Sequence, residues 1–251
     1  MRCHVLPFIE ALRFMTTLPL GWLPHGDGQM MRRSLPWFPA VGLTLGLCLL
    51  PVGWLASHFW GSLASAALLV VAWAILSGGL HLDGLSDTFD GITSWRPRER
   101  KLEIMKDSHI GAMGVNAIVA VLLLKFALLA EVGAIWWQAL LIAPLLGRWV
   151  ILLSMAAFPP ASQSGLGHSF RKELRRRDLV LATLVTMGAA WLIAGAAGIA
   201  ALLLVVLVAG LLARWWTREL GGLTGDTYGA LCEISEVVAL ATLVAARTVA
   251  A

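Results

Sequence analysis

Along residues 4–18 the apolar side chains Val5, Phe8, Ile9 and Leu12 recur at helical spacing, with Glu10 and Arg13 opposite them. That pattern predicts an amphipathic helix lying at a membrane interface rather than crossing it. Residues 19–36 are rich in Pro and Gly, carry Arg32 and Arg33, and read as a loop. Beyond them the pattern changes. Apolar runs long enough to cross a bilayer recur at about 37–57, 62–82, 110–130, 135–158, 179–199 and 200–220, and a last helix covers about 227–249. The predicted fold is all-α: a polytopic transmembrane helical bundle of about seven spans, one integral-membrane domain over residues 1–251. Gly42 and Gly46 form a small-xxx-small pair in the first span, which predicts close helix packing there.

Composition agrees. Hydrophobic residues make up 59% of the chain and charged residues 14%, with a mean hydropathy of +0.80. A soluble domain is about one quarter charged, so a soluble enzyme is excluded. The net charge of +4 does not imply nucleic-acid binding, because the basic residues fall in alternate loops. Arg2, Arg13, Arg32 and Arg33 precede the first span. Arg96, Arg98, Arg100, Lys101 and Lys106 lie between the second and third, and residues 171–177 supply a dense run between the fourth and fifth. Arg214 and Arg218 close the sixth. The turns after the first and fifth spans hold no Lys or Arg, and the turn after the third has only Lys125 nearby. Positive residues mark the cytoplasmic side, so the N-terminus is expected inside a cell inner membrane and the C-terminus outside. Residues 1–20 are not expected to be a cleavable signal, since Glu10 and Arg13 interrupt the apolar pattern. Cys3, Cys48 and Cys232 have neither a metal spacing nor a close pair and are expected as free thiols.

The chemistry concentrates in three polar stretches, all on the expected cytoplasmic side. Residues 78–91 read GGLHLDGLSDTFDG, with Asp83, Asp87 and Asp90 at offsets of four and three. On a helix these fall within roughly 60° of one another. Carboxylates stacked so closely repel unless a cation lies among them, and a hard divalent ion such as Mg2+ takes such oxygen ligands. The alternative is a solvated acidic face, against which stands the emergence of the run directly from an apolar span. Residues 105–114 read MKDSHIGAMG. Here Asp107 or Ser108 can cap the next helix, and an open helix start beside Lys106 suits phosphate; an ordinary membrane-helix cap fits equally well. Residues 221–236 read GGLTGDTYGALCEISE, which aligns Asp226 with Glu233 and sets Glu236 about 60° away. Carboxylates two turns into an apolar helix are functional candidates by default; the alternative is pairing with Arg148 or Arg218. Arg148, alone and deep in the fourth span, must meet an acid or a substrate phosphate. His168, beside Gly165 and Gly167, fits either a phosphate contact or a surface histidine, and His81 and His109 flank motifs without a metal assignment. Polar groups gathered at one mouth argue for an enzyme, whereas a carrier places them near the midplane. Acidic clusters with basic residues and glycines point to metal-assisted phosphoryl transfer.

These motifs resemble a known family, the cobalamin synthases, or adenosylcobinamide-GDP ribazoletransferases. Its GGxHxDGLADTxDG run is matched by residues 78–91 with Ser86 for Ala, and its MxDSRxGxxG by residues 105–114 with His109 for Arg. Its GGxTGDTxGAxxExxE is matched by residues 221–236, and a GLG turn by residues 165–167. The likeness spans nearly the whole chain, in the same order. It departs at Thr17, where the family has Arg in Thr-Arg-Leu-Pro, and at residues 160–163, where Pro-Ala-Ser-Gln replaces the frequent Tyr-Ala-Arg. The resemblance implies transfer of the adenosylcobinamide-phosphate group from adenosylcobinamide-GDP to α-ribazole or its 5′-phosphate, with release of GMP. It implies Mg2+ at Asp83, Asp87, Asp90, Asp226 and Glu233, and catalytic parts for Asp83, Asp87, Asp90 and Glu233. It also implies substrate contacts at Lys106, Asp107, Ser108, Arg148, Gly165, Gly167, His168, Thr224, Thr227 and Glu236. The expected partners are the corrinoid-GDP and α-ribazole substrates and membrane lipid, with no nucleic acid, plus self-association and association with other corrinoid-pathway enzymes. A CDP-alcohol phosphotransferase is the rival enzyme class, but the Ala-Arg pair after its first Asp-Gly is absent here.

Overall fold

The computed structural model describes residues 2–23, 33–162 and 166–250. Residues 24–32 of the expected loop, with Gly165 of the GLG turn, lie outside the described residues. The helices are α1 (Arg2–Met15), α2 (Phe38–Phe59), α3 (Ser62–Leu76), α4 (Leu80–Ile92), α5 (Arg98–Ile104) and α6 (Ala112–Glu131). They are followed by α7 (Trp136–Ala157), α8 (Leu166–Glu173), α9 (Arg176–Leu220) and α10 (Gly225–Ala250). Among the described residues five helices qualify by length and composition as membrane spans, or six if α3 and α4 are one bent span.

α7 is the centre. Apart from Gln138 and the ion-paired Arg148 it is apolar nearly all round, so no single face has to meet water, and 89% of its most apolar stretch is buried. α2, α9 and α10 pack against it. Gly42 and Gly46 meet the α7 backbone near Pro144 and Leu140, as their spacing predicts. α1 lays Ala11, Leu12 and Met15 into the core, and Phe8 packs on Trp37 with ring centres 5.5 Å apart.

Two breaks correct the span boundaries. The expected second span, 62–82, is not one helix. α3 ends at Leu76, and α4 leaves at 89° to it. Gly78 and Gly79 both take positive φ, 63° and 68°, a conformation open to glycine at no steric cost. The aspartates therefore stand on a helix of their own, set off from α3 by the bend. The second break is in α9, whose 45 residues would reach about 68 Å if straight, over twice the bilayer core. At Gly195 the backbone turns to φ 55°, ψ −136°. Gly198 then lies against the Ala190 carbonyl. Eight residues of straight helix would hold those positions about 12 Å apart, so the two halves of α9 double back on each other.

At one end of the bundle several connections converge. Arg98 of α5 donates to the carbonyls of Leu220 and Ala161, and Lys101 pairs with Glu219. Pro160 and Leu223 form a short parallel bridge, in which Ala161 N–H donates to Leu223 O at 2.9 Å and Leu223 N–H to Pro159 O at 2.8 Å. The segment after α9 is thus pinned before α10 begins.

The Gly42 contact yields a prediction. Gly42→Ala forces α2 from α7 and lowers the thermal midpoint in detergent, at a cost of about 1–3 kcal/mol. Gly210→Ala, where nothing lies within 4 Å, leaves the midpoint unchanged or higher.

Candidate active site

α4 buries Leu85, Ser86, Thr88 and Ile92 and turns its aspartate stripe outward. α10 crosses it at two glycines. A Cβ on Gly84 would stand 2.7 Å from the Asp226 carbonyl oxygen, and one on Gly229 3.3 Å from the His81 backbone. Only side-chain-free positions allow this approach, and it carries Asp226 to the α4 stripe. The charges of Asp83, Asp226 and Asp90 all act on Asp87, and that of Asp83 acts on Asp226. Asp83 is exposed, while Asp87 and Asp226 are half-buried. Among the described residues Asp83, Asp87 and Asp226 have no cationic partner. A cavity of about 210 Å3 opens beside them, lined by His81, Asp83, Asp226 and Tyr228, with apolar side chains from α1, α2, α7 and α8.

The start of α10 is fixed by its own threonines. The Thr224 N–H donates to the Thr227 hydroxyl at 2.8 Å, and the Thr227 N–H donates to the Thr224 hydroxyl at 3.2 Å. This is a reciprocal cap, with Thr-x-x-Thr in place of the commoner Thr-x-x-Glu. The Thr224 hydroxyl also donates to Asp226 at 3.3 Å, holding that carboxylate at the helix start. Both hydroxyls are spent on geometry.

Asp90 points elsewhere. Its two oxygens accept the Gly111 and Gly114 N–H groups at 2.8 and 2.9 Å. It caps α6 across the bundle, the place that Asp107 or Ser108 was expected to fill. Those two residues, with Lys106, sit exposed on the loop before α6. The His109 ring and backbone N–H hold the Asp107 carboxyl below its usual range.

Glu233 and Glu236 lie in a separate buried set. Lys125 of α6 pairs with Glu233 at 2.7 Å and with Glu236, and Arg148 pairs with Glu236. Lys125 also lies 4.6 Å from the centre of the Trp73 ring. The two cations and two anions cancel, which is what permits four charges to be removed from water together. Arg148 further donates to His81 Nδ1 at 3.3 Å. A guanidinium only donates, so Nδ1 is the acceptor and the His81 proton sits on Nε2, at the cavity. Of the pairings open from sequence, Arg148 with Glu236 forms, and Arg218 remains exposed. Lys125 is the member that sequence reasoning missed; its signal was a lone lysine late in an apolar run.

His168 is half-buried in α8, and Gly167 lies in the first turn of that helix. Cys48 and Cys232 are free thiols. Among the described residues no group of three or more His, Cys, Asp or Glu stands close enough to hold a metal ion unaided. Asp83, Asp87 and Asp226 nonetheless supply the hard oxygens Mg2+ takes. That ion is commonly held by one or two carboxylates plus substrate phosphates, not by an all-protein cage.

The cobalamin-5-phosphate synthase family model matches residues 7–244. The chain belongs to this family. Proteins named adenosylcobinamide-GDP ribazoletransferase are similar to it along their length. One from Roseiflexus sp. (strain RS-1) is 54% identical over 237 residues, covering 94% of this chain and 88% of the relative. One from Herpetosiphon aurantiacus is 45% identical over 240 residues, covering 94% and 95%. One from Pseudomonas syringae pv. syringae is 40% identical over 247 residues, covering 95% and 99%. No solved structure matches.

The buried charge set yields a prediction. Lys125→Met leaves Glu233 unpaired and destabilises the protein by about 3–5 kcal/mol. Lys125→Met combined with Glu233→Gln recovers part of the loss, as read by thermal unfolding in detergent.

Proposed function

We propose that this chain is an adenosylcobinamide-GDP ribazoletransferase acting at the cytoplasmic face of the inner membrane. The acceptor is α-ribazole or its 5′-phosphate. The observation that carries the reading is the meeting of Asp83 and Asp87 on α4 with Asp226 on α10, beside a cavity and without a cationic partner among the described residues. Like charges are held together at a cost unless function needs them.

The reaction is a displacement at phosphorus. A ribose hydroxyl that is free in both α-ribazole and its 5′-phosphate attacks the phosphorus attached to the cobinamide. The bond from that phosphorus to the oxygen of GMP breaks, and GMP leaves with the electron pair. One or two of Asp83, Asp87 and Asp226 would hold Mg2+ together with the donor's own phosphates, and the ion would supply charge neutralisation there. The carboxylates of this set orient the donor and take up the proton of the attacking hydroxyl. Asp90 and Glu233, to which the resemblance gives catalytic parts, have oxygens engaged by the α6 start and by Lys125. Arg148 is likewise committed to Glu236 and His81, and acts by positioning His81. The apolar wall from α1, α2, α7 and α8 excludes water that would compete as acceptor. The topology rests on the bias of Lys and Arg to alternate loops.

The test is purified protein in liposomes with adenosylcobinamide-GDP, α-ribazole and Mg2+. GMP and the joined corrinoid are expected to appear together, and EDTA is expected to stop both. Asp87→Asn is expected to insert normally and to lose turnover by about 100-fold or more, as for removal of a charge-neutralising group. Normal Mg2+-dependent turnover by that variant removes the aspartate patch from the mechanism. CDP-diacylglycerol is expected to release no CMP.

A further inference from the structure

Besides a metal ion, the reaction proposed above calls for side-chain donors to the phosphates, and the obvious cationic candidates are committed elsewhere. Arg148 and Lys125 are buried in ion pairs, and Lys106 lies exposed on a loop. Two other groups are uncommitted. Tyr228, the single tyrosine of the chain, lines the cavity at 3% exposure, and its hydroxyl has no hydrogen-bond partner among the described residues. Arg171 follows Phe170, which lines the same cavity, and its Nη1 is buried without a partner. The guanidinium charge of Arg171 reaches the Tyr228 hydroxyl.

A buried tyrosine hydroxyl normally finds a partner, and an arginine nitrogen held from water without an acceptor costs free energy. Tyr228 of α10 lines the cavity, and Arg171 directly follows Phe170 of α8, which lines it too. Neither group is satisfied by the carboxylates of the cavity: among the described residues Arg171 makes no ion pair with Asp83 or Asp226. No acceptor among the described residues meets them, and an anionic acceptor suits a guanidinium. A planar fork of N–H donors beside an O–H donor matches the oxygens of a phosphate.

We propose that Arg171 and Tyr228 form a phosphate-binding site in the cavity, taking a phosphate ester of a substrate, a role assigned from sequence to Lys106 and Arg148. The site rests on the transferase reading for its substrate. Two sources carry that group: the diphosphate of the corrinoid-GDP donor and the 5′-phosphate of a phosphorylated α-ribazole. Arg171 supplies charge and Tyr228 supplies the second donor.

The test uses Arg171→Met and Tyr228→Phe, which keep bulk, and reads binding as well as turnover. In EDTA, with no metal to bridge, GDP or α-ribazole 5′-phosphate is expected to raise the thermal midpoint of the wild-type protein. Each variant is expected to lose that protection while its ligand-free midpoint is unchanged or higher, because the unpaired groups are gone. In Mg2+, the KM of the ligand concerned is expected to rise about 10- to 100-fold for Arg171→Met, the range for hydrogen bonds to charged groups, with a smaller rise for Tyr228→Phe. A rise for the corrinoid-GDP donor with either acceptor assigns the site to the diphosphate. A rise confined to α-ribazole 5′-phosphate, with α-ribazole unaffected, assigns it to the acceptor phosphate. Variants that keep wild-type protection by both probes and wild-type KM values overturn the site. Wild-type protein that releases no GMP overturns the transferase reading, while probe protection in EDTA still reports on the site itself.

Discussion

Four buried charges bind this bundle together. Lys125, Arg148, Glu233 and Glu236 come from three helices, α6, α7 and α10, and each is nearly or wholly removed from solvent. A charge alone in such a place is costly; four that cancel are tolerated only where their helices stand in one fixed arrangement. The set is therefore a registration device. It fixes the depth of α10 relative to α7, and through the hydrogen bond from Arg148 to His81 it fixes the start of α4 as well.

The site is built on that registration. α10 is held at its far portion by the ion pairs and at its near end by the threonine cap. Between them Gly229 and Gly84 bring α4 and α10 into backbone contact. The aspartates cannot relax apart without breaking either the glycine contact or the buried pairs. Like-charged groups stay close because neutral pairs deeper in the same helices hold their backbones in place. Asp90 contributes differently, by tying the far end of α4 to the start of α6.

Much of this was legible along the chain. The helical class, the membrane character, the Gly42 packing and the three polar stretches follow from periodicity and spacing. The break at Gly78 and Gly79 was also written there, as paired glycines, but the apolar run continues to Leu82 and hides it. What could not be read was partnership across long separations. Asp90 serves a helix start 21 residues on, and Lys125 meets glutamates 108 and 111 residues away. Spacing places Glu233 in line with Asp226 but does not say that a lysine will reach it first. Arg171 stands in a dense basic run, where one arginine looks like its neighbours.

The right-angle turn between α3 and α4 has a mechanical result. α3 has 15 residues, about 22 Å of helix, against a hydrocarbon core of about 30 Å. A hydrophobic length that short is met by thinning of the bilayer, by snorkelling of flanking residues or by association with neighbouring helices. Where thinning meets it, the headgroup plane dips at the flank that carries the acidic helix. A polar substrate with a bulky ring system can then reach the carboxylates from the water without entering the hydrocarbon, and a membrane of greater thickness opposes that access.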